Sequence, residues 1–416
     1  MVSEPATSKR ENIHTTRKET SKGYVMPSLL FGSVALFAGV LVNGYVSPPE
    51  YGSKVLRGQV PSQAQIIDQK AFNVLPTVLP PSESNATTFF VPPGHDTRSL
   101  KAKPFHIYDD EFYDVIGSDP TLTLIAQTES DPLFHEAVVW YPPTDEVFFV
   151  QNAGAPAAGT GLNKSSIILK IALSEAASVS NQRNGTSAVK LHTVDSNPQV
   201  INPNGLTSSA TVNPQEPYNT TVLLNNYFGR QFSSLNDIAI NPRNNDIYFT
   251  DTLYGYLQDF RPAPGLRNQV YRLNDETGAV TVAADGFTLP NDAKHAYVAD
   301  TGANWGFWGW NQSYPSSIYR FDVQEDGTWE NRKVFAYVDS GVPDGVHCDS
   351  NGNLYAGCGD GIQVWNPSGK LIGKIYLGEV SANFNFAGDG RMVICAETKL
   401  YYVTLAASGA AYITDV

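Results

Sequence analysis

The chain has 416 residues, a formal net charge of −13, 42% hydrophobic residues and cysteines only at 348, 358 and 395. That acidity excludes ordinary nucleic-acid binding, which relies on attraction to phosphate. Three cysteines exclude a disulfide-rich scaffold and a four-thiolate zinc site. With 34 Gly, 27 Pro, 21 Tyr and 20 Phe against three Met, the composition points to β-structure.

Taken in chain order, residues 1–23 are polar, and Lys9, Arg10, Arg17, Lys18 and Lys22 outnumber Glu4, Glu11 and Glu19. The uncharged run Tyr24–Val42 follows, which as a helix covers about 28 Å of the roughly 30 Å of bilayer hydrocarbon. Cations on its leading flank stay on the cytoplasmic side. The expectation is a single-pass membrane protein with a basic cytoplasmic tail over 1–23, a transmembrane signal anchor over 24–44 and a lumenal or extracellular remainder. A signal peptide cleaved before Tyr45, giving a secreted protein, is the alternative. Sequons at Asn85, Asn163, Asn184, Asn219 and Asn311 fit either route and are expected glycosylation sites. Residues 45–105, with Leu79-Pro80-Pro81-Ser82 and Val91-Pro92-Pro93-Gly94, read as a Pro/Ser-rich stalk.

From residue 106 to 416, short β-prone runs alternate with Gly, Asp, Asn and Pro turns, and helical periodicity is absent from any long stretch. Five runs share one shape, with centres at Phe148, Tyr248, Tyr297, Tyr355 and Val393. If the first gap counts as two units, the period is that of a four-stranded propeller blade, and about six blades fit. The predicted fold is all-β, a six-bladed β-propeller preceded by the membrane-spanning or signal segment. Polar residues recur ten to twelve positions before four of the centres: Glu136, Asn236, Asp344 and Asn383. The innermost strand of each blade lines the channel, so a constant offset aims these oxygens at one point on the axis. By ligand type this is a site for Ca²⁺ or Mg²⁺. Asn-Asp and Asp-Gly are also ordinary turn dipeptides, so the residues alone leave ligand and turn former open.

The segments His135-Glu136-Ala137-Val138-Val139-Trp140, Leu235-Asn236-Asp237-Ile238, Val342-Pro343-Asp344-Gly345-Val346 and Asn351-Gly352-Asn353-Leu354-Tyr355-Ala356-Gly357-Cys358 resemble the SMP-30/gluconolactonase family, and within it the fungal lactonohydrolases. The resemblance spans roughly residues 105–405. It implies a six-bladed propeller with one catalytic divalent cation, usually Ca²⁺ and in some members Zn²⁺, and hydrolysis of a lactone to its hydroxy acid. It implies Glu136, Asp344 and Asn291 as metal ligands and Asn236 as a substrate contact. Asn291 departs from the pattern. It stands six residues before Tyr297 where its counterparts stand ten to twelve before their centres, so the innermost strand of its blade is expected to be absent or much shortened.

Lactone hydrolysis needs an electrophile at the carbonyl and a base for water; a divalent cation supplies the first, and Asp344 is the candidate general base. Sugar lactones, pantolactone and a lactone of fungal secondary metabolism are all open as substrates, with the membrane, through the amino-terminal segment, as the other partner. A paraoxonase-like arylesterase and a non-catalytic binding propeller are the rival readings. No Gly-x-Ser-x-Gly elbow occurs, and His135-Glu136 lacks the second His of a zinc-protease motif. Gly357–Gly361 reads as a hairpin turn. His347 reads as a packing residue, and Cys348 and Cys358 do not face each other. Trp305, Trp308 and Trp310 lie in a Gly-rich loop suited either to a wall over the channel mouth or to inter-blade packing.

Overall fold

The computed structural model describes residues 59–410 apart from 81–82, 84–87, 153, 156–165, 183–187, 201–209, 242–243, 275, 286–289, 292–294 and 389. The expected tail and anchor lie outside the described residues. Among the described residues, no helix is long and apolar enough to cross a membrane.

Strands form where β-branched and aromatic residues run between turn formers, as in Ile247–Asp251 and Arg391–Ala396. A representative hairpin joins Val346–Cys348 to Leu354–Cys358 and places Cys348 opposite Leu354. Its turn is set by Asp349, whose Oδ1 accepts from the backbone N–H groups of Asn351 and Asn353, each at 2.9 Å, while Gly352 takes a φ of 80°. Cys348, Cys358 and Cys395 are all free thiols, and Gly357–Gly361 forms a strand–turn–strand.

Five blades of four antiparallel strands result. Their innermost strands are Glu136–Tyr141, Leu235–Ile240, Pro290–Asn291, Val346–Cys348 and Asn383–Phe386. The expectation of six blades is corrected to five among the described residues, because those of the long first interval form no second four-stranded sheet. Between His192–Val194 and Leu235–Ile240 the chain makes two small two-stranded hairpins, Ala210–Val212 with Thr220–Val222 and Asn226–Tyr227 with Arg230–Gln231. Pro198, Pro203, Pro214 and Pro217 interrupt this stretch, and proline cannot donate to a ladder. The segment instead packs side chains against both neighbours. Lys170 of the first blade lies 5.5 Å from the Tyr218 ring, and Tyr227 and Phe232 meet Tyr271 of the second.

The fifth blade takes its outermost strand, Thr121–Gln127, from the start of the domain and pairs it with Lys399–Thr404, which closes the ring. The fourth blade extends to six strands. Leu371–Tyr376 pairs with Phe105–Ile107, and that strand pairs in parallel with Ala64–Ile66. The stretch read as a stalk over 45–105 thus supplies sheet to the domain, and the boundary at 106 is corrected accordingly. These residues carry the needed apolar content, since Ala64 and Phe105 are fully buried. Contacts between blades are dominated by aromatic and aliphatic side chains, among them Tyr355, Phe384, Phe386 and Ile394. Among the described residues the inner strand of the third blade is Pro290–Asn291, where its counterparts in the first two blades have six residues; 286–289 and 292–294, on either side, lie outside the described residues.

Candidate active site

A cavity of about 400 Å³ opens where the inner strands converge, and Glu136, Asn236 and Asp344 line it together. Each reaches it by a local departure from regular pairing. In the first blade the ladder runs from Glu136↔Val150 to Val139↔Phe148 through a bulge, with Ala137 at φ 52°. In the second it runs from Leu235↔Asp251 to Ile238↔Phe249, with Asn236 inside the bulge. Bulges of this kind re-aim a side chain at a site. Asp344 precedes the inner strand of the fourth blade and is pinned from two sides. Its N–H donates to the Gly357 carbonyl at 2.8 Å, and that of Gly345 donates to Ala382 at 2.7 Å.

Asn383, from the fifth blade, donates its Nδ2 to Glu136 Oε2 at 2.8 Å, and its Oδ1 accepts from the Phe384 N–H. A Cβ on residue 345 would stand 2.6 Å from Asn383 Cγ. Glycine next to Asp344 is therefore what lets Asn383 sit between that segment and the Glu136 carboxylate.

At this floor burial works against the charge of the carboxylates. Burial first, and the Asp344 charge second, hold Glu136 well above the usual carboxylate range. Burial pushes Asp344 up to about 7, with Asp237 and Glu397 adding to the rise and His135 opposing it. Asp237 is raised to about 6 by burial. Asn236 Oδ1 is buried and makes no hydrogen bond. Two carboxylates that resist ionising together, beside an orphaned carboxamide oxygen, are the donor chemistry of a hard divalent cation. Among the described residues no three of His, Cys, Asp and Glu are placed to hold a metal by themselves, so the fit depends on the carboxamide oxygens. The backbone of Asn291 pairs with Tyr297 in the third blade. The side chain of Asn291 lies outside the described residues.

Sequence reasoning missed a second group in the same cavity. His135 Nδ1 meets Glu397 Oε1 at 2.8 Å, and Asn152 Nδ2 donates to Glu397 Oε2 at 3.1 Å. Burial disfavours the charged imidazole, but the neighbouring Glu397, with Glu136 and Asp344 behind it, outweighs burial and holds His135 at about 9. His135 was visible as the residue before Glu136. Glu397, in the turn after the strand Arg391–Ala396, carried no sequence signal. His347 is a packing residue, as read: its ring meets Phe384 edge-on at 5.0 Å, and burial lowers it to about 4.

At the mouth, Trp310 lines the cavity with Phe89, Tyr254, Val342 and Val380. Trp305 and Trp308 do not. Trp305 donates its indole N–H to the Gly302 carbonyl and packs on Tyr314. Of the sequons, Asn219 and Asn311 stand on the exposed surface, and Asn85, Asn163 and Asn184 lie outside the described residues.

The family profile described as SMP-30/Gluconolactonase/LRE-like region matches residues 205–398. Lactonohydrolase oryL of Aspergillus oryzae is 28% identical over 306 residues, covering 67% of this chain and 68% of that protein. The gluconolactonase of Zymomonas mobilis is 28% identical over 171 residues, 37% of this chain and 45% of that one. A solved gluconolactonase from Xanthomonas campestris superposes with a TM-score of 0.54 at 20% identity, over 73% of this chain and 94% of that one, which is a likeness of fold. Residues 205–398 of this chain thus match the model of the family that its motifs resemble.

Proposed function

We propose that the protein is a lactonohydrolase that opens a cyclic ester to its hydroxy acid with the help of one divalent cation, Ca²⁺ before Zn²⁺ or Mg²⁺. Lactone hydrolysis is supported at the level of the family and of the relatives named above. The observation that carries the finer reading is the meeting of Glu136, Asp344 and the orphaned Asn236 oxygen in one cavity. Glu136 and Asp344, joined by Asn291, would hold the cation, and Asn236 would orient the lactone. A cation held there supplies Lewis acidity for the ester carbonyl.

The remaining work falls to the protein's own groups. Asp344 is the base that takes a proton from the attacking water and returns it to the ring oxygen as the acyl C–O bond breaks. Asn383 keeps the Glu136 carboxylate turned toward the cavity through its Nδ2. Cavity walls of Val342, Ala382 and Tyr254 keep bulk water away from the reacting atoms. From the amino-terminal sequence and the sequons we also propose that the domain lies on the lumenal or extracellular side, anchored through residues 24–44 or released by cleavage, with glycans on the sequons.

The test is hydrolysis of D-glucono-δ-lactone and γ-butyrolactone by the full chain, before and after chelation and with Ca²⁺ returned. Chelator-sensitive turnover that vanishes in Glu136→Ala and Asp344→Ala at unchanged circular dichroism supports the reading. Turnover indifferent to chelation, or faster on aryl acetates than on lactones, overturns it.

A further inference from the structure

The cavity is divided by chemistry. Its floor holds Glu136, Asn236 and Asp344, while its outer wall is made of Phe89, Trp310, Val342 and Val380. Trp310 and Val380 are each 43% exposed, so this wall stands open at the mouth. Three polar side chains near it hydrogen-bond within the protein. The Tyr254 hydroxyl is hydrogen-bonded to Thr301 Oγ1, Asn304 Oδ1 accepts from the Gly306 N–H, and Asn152 is held by Glu397 and by the Gly154 N–H. A site for a polyhydroxylated ring needs free donors and acceptors spread around that ring, because each unpaired sugar hydroxyl is costly to bury. Here the two carboxylates and the unpaired Asn236 oxygen sit at one end, and the rings and aliphatic side chains of Phe89, Trp310 and Val380 at the other.

We infer that the substrate is an amphiphilic lactone: the cyclic ester rests on the floor, and an apolar substituent on the ring carbon beside the ring oxygen lies against Phe89, Trp310 and Val380. This rests on the lactone-hydrolase reading and narrows it. A volume of about 400 Å³ exceeds what a bare five- or six-membered lactone fills and falls within the range of pockets for larger organic ligands. Phe89 comes from the connection between the strands Ala64–Ile66 and Phe105–Ile107, so the apolar wall is partly built by chain outside the ladders.

The experiment measures kcat/KM with the Ca²⁺-loaded full chain on γ-butyrolactone, γ-valerolactone and γ-nonalactone, with D-glucono-δ-lactone as comparator. Burial of an alkyl chain predicts a rise of about fourfold per added methylene and at least about a hundredfold across the series. Trp310→Ala lowers the nonalactone-to-butyrolactone ratio by about tenfold or more. Trp308→Ala, which changes a side chain outside the cavity, keeps the ratio within about twofold. A wild-type ratio near one, a preference for gluconolactone over nonalactone, or a ratio unmoved by Trp310→Ala overturns the inference. If no lactone is turned over, it is the hydrolase reading that fails, and calorimetric titration with γ-nonalactone then decides the subsite. Saturable binding weakened by Trp310→Ala upholds the apolar wall, and absence of binding refutes it.

Discussion

The floor of the cavity and its mouth are built from different kinds of chain. Glu136 and Asn236 project from bulged inner strands, and the Asp344–Gly345 segment is tied by backbone hydrogen bonds to its own blade and to the segment leading into the fifth. Trp310, Phe89 and Val380 stand on connections outside the ladders. At the floor, burial works against the charge of every acid. At the mouth, half-exposed rings carry little electrostatic load. The contrast separates two tasks: the sheets fix the geometry that bond breaking needs, and the loops decide what enters.

The contrast is tested most severely by Glu136→Ala and Asp344→Ala, each expected to reduce kcat/KM by at least about a thousandfold in steady-state assays with the fold retained. A comparable loss on every lactone from a mouth residue would erase the division of labour. Asn383→Ala touches the floor indirectly and should weaken cation affinity by about 10- to 100-fold, read by calorimetric titration.

A third prediction concerns pH. Asp344 and Asp237 have folded pKa values raised to about 7 and about 6 from 3.8, and His135 is raised to about 9 from 6.5. For each, the native state holds protons that the unfolded chain has released. The buried His347 and His106, both lowered to about 4, oppose this below the ordinary imidazole pKa of 6.5, so stability of the cation-free protein should fall as pH rises from about 6.5 to about 9. Saturating Ca²⁺ should flatten that slope, as followed by thermal melts. The smallest effect is local. Glu397→Gln removes the main partner holding His135 charged and should lower its pKa by at least about one unit in an NMR titration, since burial then acts with less opposition.

What could be read from the sequence follows the same division. A fixed offset from strand centres found Glu136, Asn236, Asp344 and Asn383, because a β-ladder converts spacing into height along the axis. Blade number was not legible. The interval from Phe148 to Tyr248 has the length of two repeats, but its described residues form only two short hairpins beyond the first blade, and length alone cannot show that. Glu397 and Phe89 were also invisible, since each joins the site through a turn or an extension whose position depends on the closed ring. Among the three tryptophans, only the tertiary path of the Gly-rich loop singles out Trp310.

The hydrogen bond from Asn383 to Glu136 spans 247 positions and bridges the first and last blades. Those blades become neighbours only once the strand Thr121–Gln127 has docked on Lys399–Thr404. During synthesis, then, the Glu136 side of the site must wait for nearly the whole polypeptide to leave the ribosome before it meets its partner. Any truncation that removes the last blade forfeits the reaction centre outright, however well the earlier blades fold.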